Sequence, residues 1–212
     1  DNLLTYAVIG IIVGARLGHC FFYDPSYYFS NPLKILAIWE GGLASHGGGL
    51  GLIIAIFFYT KKYKMDFLWL LDRLALSTAL FGFFVRIANF INSEILGVST
   101  NVSWAVVFER IDNIPRHPVQ LYEAFSYLTI FILLYTYYHK TSNKNYSGSI
   151  LGMFLVMVFS ARFVIEFFKE KQAAYAAENL ISTGQMLSIP FFLTGIALIA
   201  FALKTKRSKK LN

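Results

Sequence analysis

Apolar stretches near bilayer length recur along the whole chain. A membrane helix needs about 20 mainly apolar residues, and roughly six segments approach that length, at residues 3–23, 43–59, 67–91, 119–138, 150–168 and 186–203. None alternates polar and apolar residues as a barrel strand does. The expectation is an all-α, polytopic integral membrane helix bundle of about six transmembrane helices. Composition agrees. The chain is 56% hydrophobic and only 15% charged, far from the roughly 25% charge of a soluble domain. The chain starts at Asp1 and enters a span almost at once, which reads as a piece with a preceding helix missing.

A net charge of +7 raises nucleic acid as a partner. The location of the charge argues against it. Ten of the 19 basic residues sit in three clusters beside apolar stretches: Lys61, Lys62 and Lys64; Lys140 and Lys144; and Lys204, Lys206, Arg207, Lys209 and Lys210. By the positive-inside rule these are cytoplasmic. The first helix then runs outward, the others alternate, and segments 24–42, 92–118 and 169–183 lie outside. The organisation expected is a single membrane domain over 1–212, with a reduced periplasmic loop at 92–118 and a basic cytoplasmic tail at 204–212. No basic and aromatic residues interleave along a groove-like stretch, so no nucleic-acid partner is expected.

Charges inside spans require a reason, since each costs about 2.5–3.5 kcal/mol at the bilayer centre. Arg16, Arg73, Arg86, Arg162, Asp72, Glu123 and Glu166 all fall there. The basic ones are all Arg, whose planar fork suits carboxylate or phosphate. Helical spacing gathers Arg86, Asn89 and Asn92 on one face, Gln120 and Glu123 on a second, and Arg162 and Glu166 on a third. These stripes must face one another rather than lipid. Structural ion pairs would satisfy any single pair, and Arg73 with Asp72 or a neighbouring acid reads that way. The whole set offers more donor capacity than packing needs, and an anion such as a lipid phosphate would occupy it.

Glycine gives two further patterns. Gly10, Gly14 and Gly18 form the small-residue face of a close helix crossing. The run from Gly41 to Gly51 is costly at a helix start, about 1 kcal/mol per glycine. Backbone N–H groups cradling a phosphate beside His46 would offset that cost. Of the four histidines, only His46 joins a pKa near neutrality to a glycine setting near the proposed anion site, as a general base requires. His19, His117 and His139 read as interfacial, capping or solvated groups. The histidines lack metal-ligand spacing, so no metal and no cofactor are expected. Cys20, the only cysteine, reads as a packing residue.

The blocks Gly14-Ala15-Arg16-Leu17-Gly18, Trp39-Glu40-Gly41-Gly42-Leu43-Ala44-Ser45-His46-Gly47-Gly48, Arg86-Ile87-Ala88-Asn89-Phe90-Ile91-Asn92-Ser93-Glu94 through Gly97, Arg116-His117-Pro118-Val119-Gln120-Leu121-Tyr122-Glu123, Arg162 through Phe168 and Ser182 through Pro190 occur in one order along nearly the whole chain. In this the chain resembles the bacterial prolipoprotein diacylglyceryl transferases, and Arg-x-x-Asn-Phe-x-Asn-x-Glu is the most specific block. Ala88 stands where the family usually has Gly, Gly49 where it has Leu, and Lys169 at a position often Arg. The resemblance implies an enzyme of the bacterial cytoplasmic (inner) membrane, with its active site toward the outer half. It would move the diacylglyceryl group of phosphatidylglycerol to the lipobox cysteine of a prolipoprotein, releasing glycerol phosphate.

Residue by residue, the resemblance marks His46, Arg86, Asn89, Asn92, Glu94, Gly97 and Arg162 as used for activity or lipid binding. Taken with the polar stripes, His46, Arg86 and Arg162 are the catalytic candidates. Arg16, Gly47, Gly48, Asn89, Asn92, Glu94, Gly97, Gln120, Glu123 and Glu166 are the substrate-binding ones. Two roles are open for His46, thiol deprotonation or placement of the lipid head group. A non-catalytic protein that binds anionic phospholipid, or a degenerate homologue, is the competing reading. A transporter is disfavoured, because there is no internal repeat and no pair of broken helices.

Overall fold

The structure is a computed structural model that describes residues 2–141, 147–170 and 182–211, without the side chains of Ser45, Thr183 and 206–211. Lys144, most of the loop expected at 169–183 and the tail's basic side chains from 206 onward therefore lie outside the described residues. Seven helices are present among those described: α1 (Asn2–Phe22), α2 (Pro25–Ser30), α3 (Ser45–Lys62), α4 (Phe67–Ile91), α5 (Val119–Lys140), α6 (Ser149–Ile165) and α7 (Thr183–Leu211). β1 (Val106–Val107) and β2 (Pro115–Arg116) form the antiparallel pair of the segment between α4 and α5.

Five of these helices are long and apolar enough to cross a membrane. The second expected span forms helix α3, but it opens with Ser-His-Gly-Gly-Gly and closes with two lysines, so it falls outside that group. Large side chains on the spans point outward: Leu4 is 68% exposed and Phe81 68%. In water such a surface would drive association. On membrane helices it is the lipid face.

The chain packs as two compact units, divided inside α4 at Leu70 and Leu71. In the first, α1 and α3 are antiparallel partners locked through glycine. A Cβ on Gly18 would sit 2.8 Å from Gly47 Cα, and one on Gly10 would sit 2.6 Å from the Gly51 carbonyl oxygen. Only glycine permits so close a crossing. Gly47 and Gly51 are thus packing residues opposite Gly10, Gly14 and Gly18, which explains the helix-weakening cost of the glycine run. Gly49 faces open space.

In the second unit a core of Ala75 and Ala79 from α4, Ile130 and Leu134 from α5, and Ile150, Phe154 and Val158 from α6 joins three helices. Antiparallel α7 packs on α6 through Gly152 against Gly195 and through Phe159 stacked on Phe191. Two helix starts are fixed by side chains. Ser182 and Gln185 cap α7 reciprocally, the Gln185 N–H donating to Ser182 Oγ at 3.1 Å and the Ser182 N–H to Gln185 Oε1 at 2.9 Å. Gly148, the residue before α6, has no side chain to cap with, and Asp72 of α4 does so instead. Asp72 is thus a structural cap, and Arg73, the next residue, lies over the Tyr138 ring.

Candidate functional site

The ends of α4 and α6 and the starts of α5 and α7 bring the second unit's polar residues together. Arg86, five residues before the end of α4, is the hub. Its Nε is 3.0 Å from Glu123 Oε2, and its Nη1 donates to Asn89 Oδ1 at 3.2 Å. Glu123 is 4% exposed. Its other oxygen is 2.7 Å from Lys169 Nζ. One buried carboxylate therefore bridges two cations drawn from different elements, an arrangement that holds only while all three are in place.

The segment after α4 is held to the same hub. Asn89 Nδ2 donates to Glu94 Oε2 at 2.6 Å, and Gln120 Nε2 donates to the Glu94 carbonyl at 2.6 Å. Ser93 and Ile95, on either side of Glu94, both have left-handed backbones, with φ of 58° and 55°. For a β-branched residue such as Ile95 this is costly. The hydrogen bonds from Asn89 and Gln120 hold the turn against that cost. Gly97 follows, and a Cβ there would collide with the His117 carbonyl. Gly97 pairs with Lys169 in an isolated bridge, the Val98 N–H donating to the Phe168 carbonyl at 2.9 Å. Its lack of a side chain therefore serves backbone approach, and this backbone pairing carries Lys169 to Glu123.

Glu166 lies beyond the α-helical part of α6, in a 3-10 turn over Glu166–Phe168. The stripe with Arg162 is broken there. The Glu166 carboxylate accepts from the Ser182 hydroxyl at 3.0 Å, lies 3.7 Å from Lys169 and covers Gly184. Arg162 turns instead to a narrow, open cleft between α5 and α6. Glu123, Tyr127 and Arg162 give this cleft a polar end, and Ile130, Val158, Ala161 and Ile165 give it apolar walls. Among the described residues Arg162 has no ion-pair partner, unlike Arg86. Asn92 is exposed, with no side-chain hydrogen bond among those residues.

The remaining candidates belong to the first unit. Arg16 is 3% exposed. Its Nε donates to the Ile35 carbonyl at 2.9 Å and its Nη atoms donate to the carbonyls of Lys34, Gly41 and Gly42, with the Tyr28 ring 5.1 Å away. A residue expected to contact substrate thus has its donors committed to clasping the loop before α3. Gly41 and Gly42 permit that clasp with φ of 85° and 72°. His46 lies in the first turn of α3 with its side chain exposed. Gly48 is buried, with room for a Cβ at ordinary contact distance from Ile11 and Ala15.

Sequence reasoning left out Lys169 and Tyr127 as site residues. Tyr127 had a signal, because it extends the Gln120 and Glu123 face by one helical turn. Lys169 had one too, as the residue at a family position often held by Arg, but its contact with Glu123 depends on the Gly97 bridge.

Comparison with known proteins gives a consistent result. The sequence model of a family described as prolipoprotein diacylglyceryl transferase matches residues 1–201. The phosphatidylglycerol–prolipoprotein diacylglyceryl transferase of Tolumonas auensis is 58% identical over 207 residues, covering 97% of this chain and 80% of the relative. Proteins of the same name from Chloroherpeton thalassium and Bacteroides fragilis are 46% and 44% identical, each over 99% of this chain and covering 79% and 80% of the relatives.

Proposed function

Because the chain belongs to the prolipoprotein diacylglyceryl transferase family, we propose that it transfers the diacylglyceryl group of phosphatidylglycerol to the lipobox cysteine thiol of a prolipoprotein. The observation that carries the assignment of the site is the cleft beside Arg162. It offers a cation at one end and apolar walls along the rest, which matches an anionic head group attached to acyl chains.

In the reaction the thiol loses its proton, its sulfur attacks the glyceryl carbon, and the carbon–oxygen bond to phosphate breaks. The products are a thioether and glycerol phosphate. Charge grows on the departing phosphate, and Arg162 supplies the opposing charge through forked donors. Arg86, held by Glu123 and Asn89, presents a second guanidinium in fixed orientation. Preorganised donors of this kind contribute about 3–4 kcal/mol each to a transition state. His46 is assigned the thiol proton, since an unperturbed thiol of pKa near 8.5 is mostly protonated at neutral pH.

The basic ends of α5 and α7 lie opposite the site end of their helices. By the positive-inside rule this supports a site toward the outer half of the cytoplasmic membrane.

The test is transfer in vesicles containing labelled phosphatidylglycerol and a lipobox peptide. Arg162→Ala and Arg86→Ala should each reduce thioether formation at least a hundredfold. His46→Gln should do the same if His46 moves the proton, and should mainly raise KM for lipid if it places the head group. Transfer at the unsubstituted rate in both arginine variants would overturn the site.

A further inference from the structure

Trp104, Tyr122 and His117 form a chain of side-chain hydrogen bonds. The Trp104 indole N–H donates to the Tyr122 hydroxyl at 2.7 Å, and that hydroxyl lies 3.0 Å from His117 Nδ1. An indole nitrogen is a donor only, so the phenolic oxygen accepts from Trp104. The phenol hydrogen then goes to His117 Nδ1, since no other acceptor meets it among the described residues. His117 is thereby fixed in one tautomer, with Nδ1 as acceptor and the ring hydrogen on Nε2.

Backbone pairing connects this imidazole to the site. The His117 N–H donates to the Val98 carbonyl at 3.1 Å, and the Val98 N–H donates to the Phe168 carbonyl at 2.9 Å. Isolated bridges pair Ser99 with Arg116 and Gly97 with Lys169. Side chains brace the same assembly. The Phe168 ring packs edge-on against His117, 5.1 Å between centroids, and against Tyr122 at 6.2 Å. Lys169 follows Phe168 directly, and its Nζ is 2.7 Å from Glu123 Oε1. The outer torsion of a histidine is broad and roughly two-fold, so only a ring held by Tyr122 offers Phe168 one fixed edge.

We propose that His117 is a positioning residue for the transfer site, its Nδ1 held by Tyr122 and, through Tyr122, by Trp104. The locked ring seats Phe168, Phe168 sets where the Lys169 side chain begins, and Lys169 steadies Glu123 against Arg86. The inference rests on the proposed transfer site and deepens it. His117 touches no reacting atom in this scheme. Its effect falls on the orientation of Arg86, and so on kcat rather than on KM for lipid.

The experiment uses the full chain in phosphatidylglycerol vesicles with a lipobox peptide, measuring kcat and KM for lipid. Tyr122→Phe keeps the ring beside Phe168 and removes both hydrogen bonds, so kcat should fall about tenfold with KM changed less than about twofold. His117→Asn places an acceptor close to the position of Nδ1 and should keep most of kcat. His117→Gln places its amide near the position of Nε2 instead and should lose about as much as Tyr122→Phe. Gln as active as Asn, or Tyr122→Phe at full rate, would overturn the proposal. In a Lys169→Met background Tyr122→Phe should cost less than about twofold, because both act through one contact; multiplied losses would overturn it too. Nitrogen NMR of the histidine-labelled chain reads the tautomer directly, with the His117 signals assigned by their loss in His117→Asn. Nδ1 should be without hydrogen and should shift in Tyr122→Phe; a hydrogen on Nδ1 would overturn the chain. If Arg162→Ala transfers at the unsubstituted rate, the site assignment fails instead, and the tautomer measurement still reads His117 by itself.

Discussion

Asp72 allows a direct test of how the second unit holds its helices in place. Its carboxylate is 1% exposed. Oδ2 accepts the Gly148 N–H at 2.8 Å and Oδ1 the Leu151 N–H at 2.7 Å. These are orphan donors at the start of α6, and a helix N-terminus also favours a negative charge. Asp72→Ala leaves both N–H groups unpaired, at roughly 1–3 kcal/mol each. Release of the carboxylate's own desolvation cost offsets part of this, for a net loss of about 3 kcal/mol. Asp72→Asn keeps one acceptor and loses the charge, at about half that cost. The assay is hydrogen exchange in detergent micelles together with thermal melting. The Gly148 and Leu151 amides should exchange about a hundredfold faster in Asp72→Ala, in proportion to 1.4 kcal/mol per factor of ten, while amides near Gly195 change far less. Unchanged exchange at Gly148 and Leu151, or an Asn variant as damaging as the Ala variant, would refute the capping argument.

Glu123→Gln removes the charge shared by Arg86 and Lys169, so the chain should lose about 3 kcal/mol in neutral detergent and recover part of it when phosphatidylglycerol supplies a phosphate; equal melting with and without the lipid would argue against an anion site there. Gly14→Ala drives a Cβ into the Gly47 carbonyl and within 2.7 Å of Gly51 Cα, which should cost about 1–3 kcal/mol. Gly49→Ala meets no atom within 4 Å and should raise the melting temperature through helix propensity; the reverse order would contradict glycine packing. The Arg116 guanidinium beside Asp112, with the Ile114 N–H, holds the Asp112 carboxyl below its ordinary value of 3.8. A depressed carboxyl contributes stability that is present above its unfolded value and lost as pH falls through its folded value. Proteolytic protection of residues 106–116 should therefore be flat from pH 8 to 5 and fall below about pH 4, and Asp112→Asn should flatten the profile.

What the sequence made legible was whatever helix geometry alone dictates. The expected bounds of the third span, 67–91, are those of α4, because Asp66 caps its start by accepting the Trp69 N–H at 2.8 Å. The contact of Arg86 with Asn89 followed from a spacing of three. Contacts between elements were not legible. Nothing local places Lys169 on Glu123 or Asp72 on Gly148, which is 76 residues away. The span expected at 150–168 is present as Ser149–Phe168, but its last turn is 3-10, and that tightening takes Glu166 off the face of Arg162. The glycine run shows a different failure. One signal, missing side chains at a helix start, fits both an anion cradle and a close helix crossing, and only the position of α1 separates them.

The arginines show most clearly why location in a span does not by itself mark a ligand site. Burial demands that each guanidinium be partnered, yet several kinds of group answer that demand. Arg16 is closed by carbonyls, Arg73 lies over a ring, and Arg86 is held by Glu123. These side chains are alike in sequence terms, and the difference lies in what their donors meet. Donors already directed at the chain's own oxygens are expensive to redirect, since an incoming anion must first replace a partner of equal strength. Arg162, without an ion-pair partner among the described residues and with a cleft before it, carries no such cost. Phosphate binding should therefore depend most on Arg162 for affinity and on Arg86 for orientation, so that Arg162→Ala raises KM for lipid more than Arg86→Ala does, and Arg86→Ala lowers kcat more.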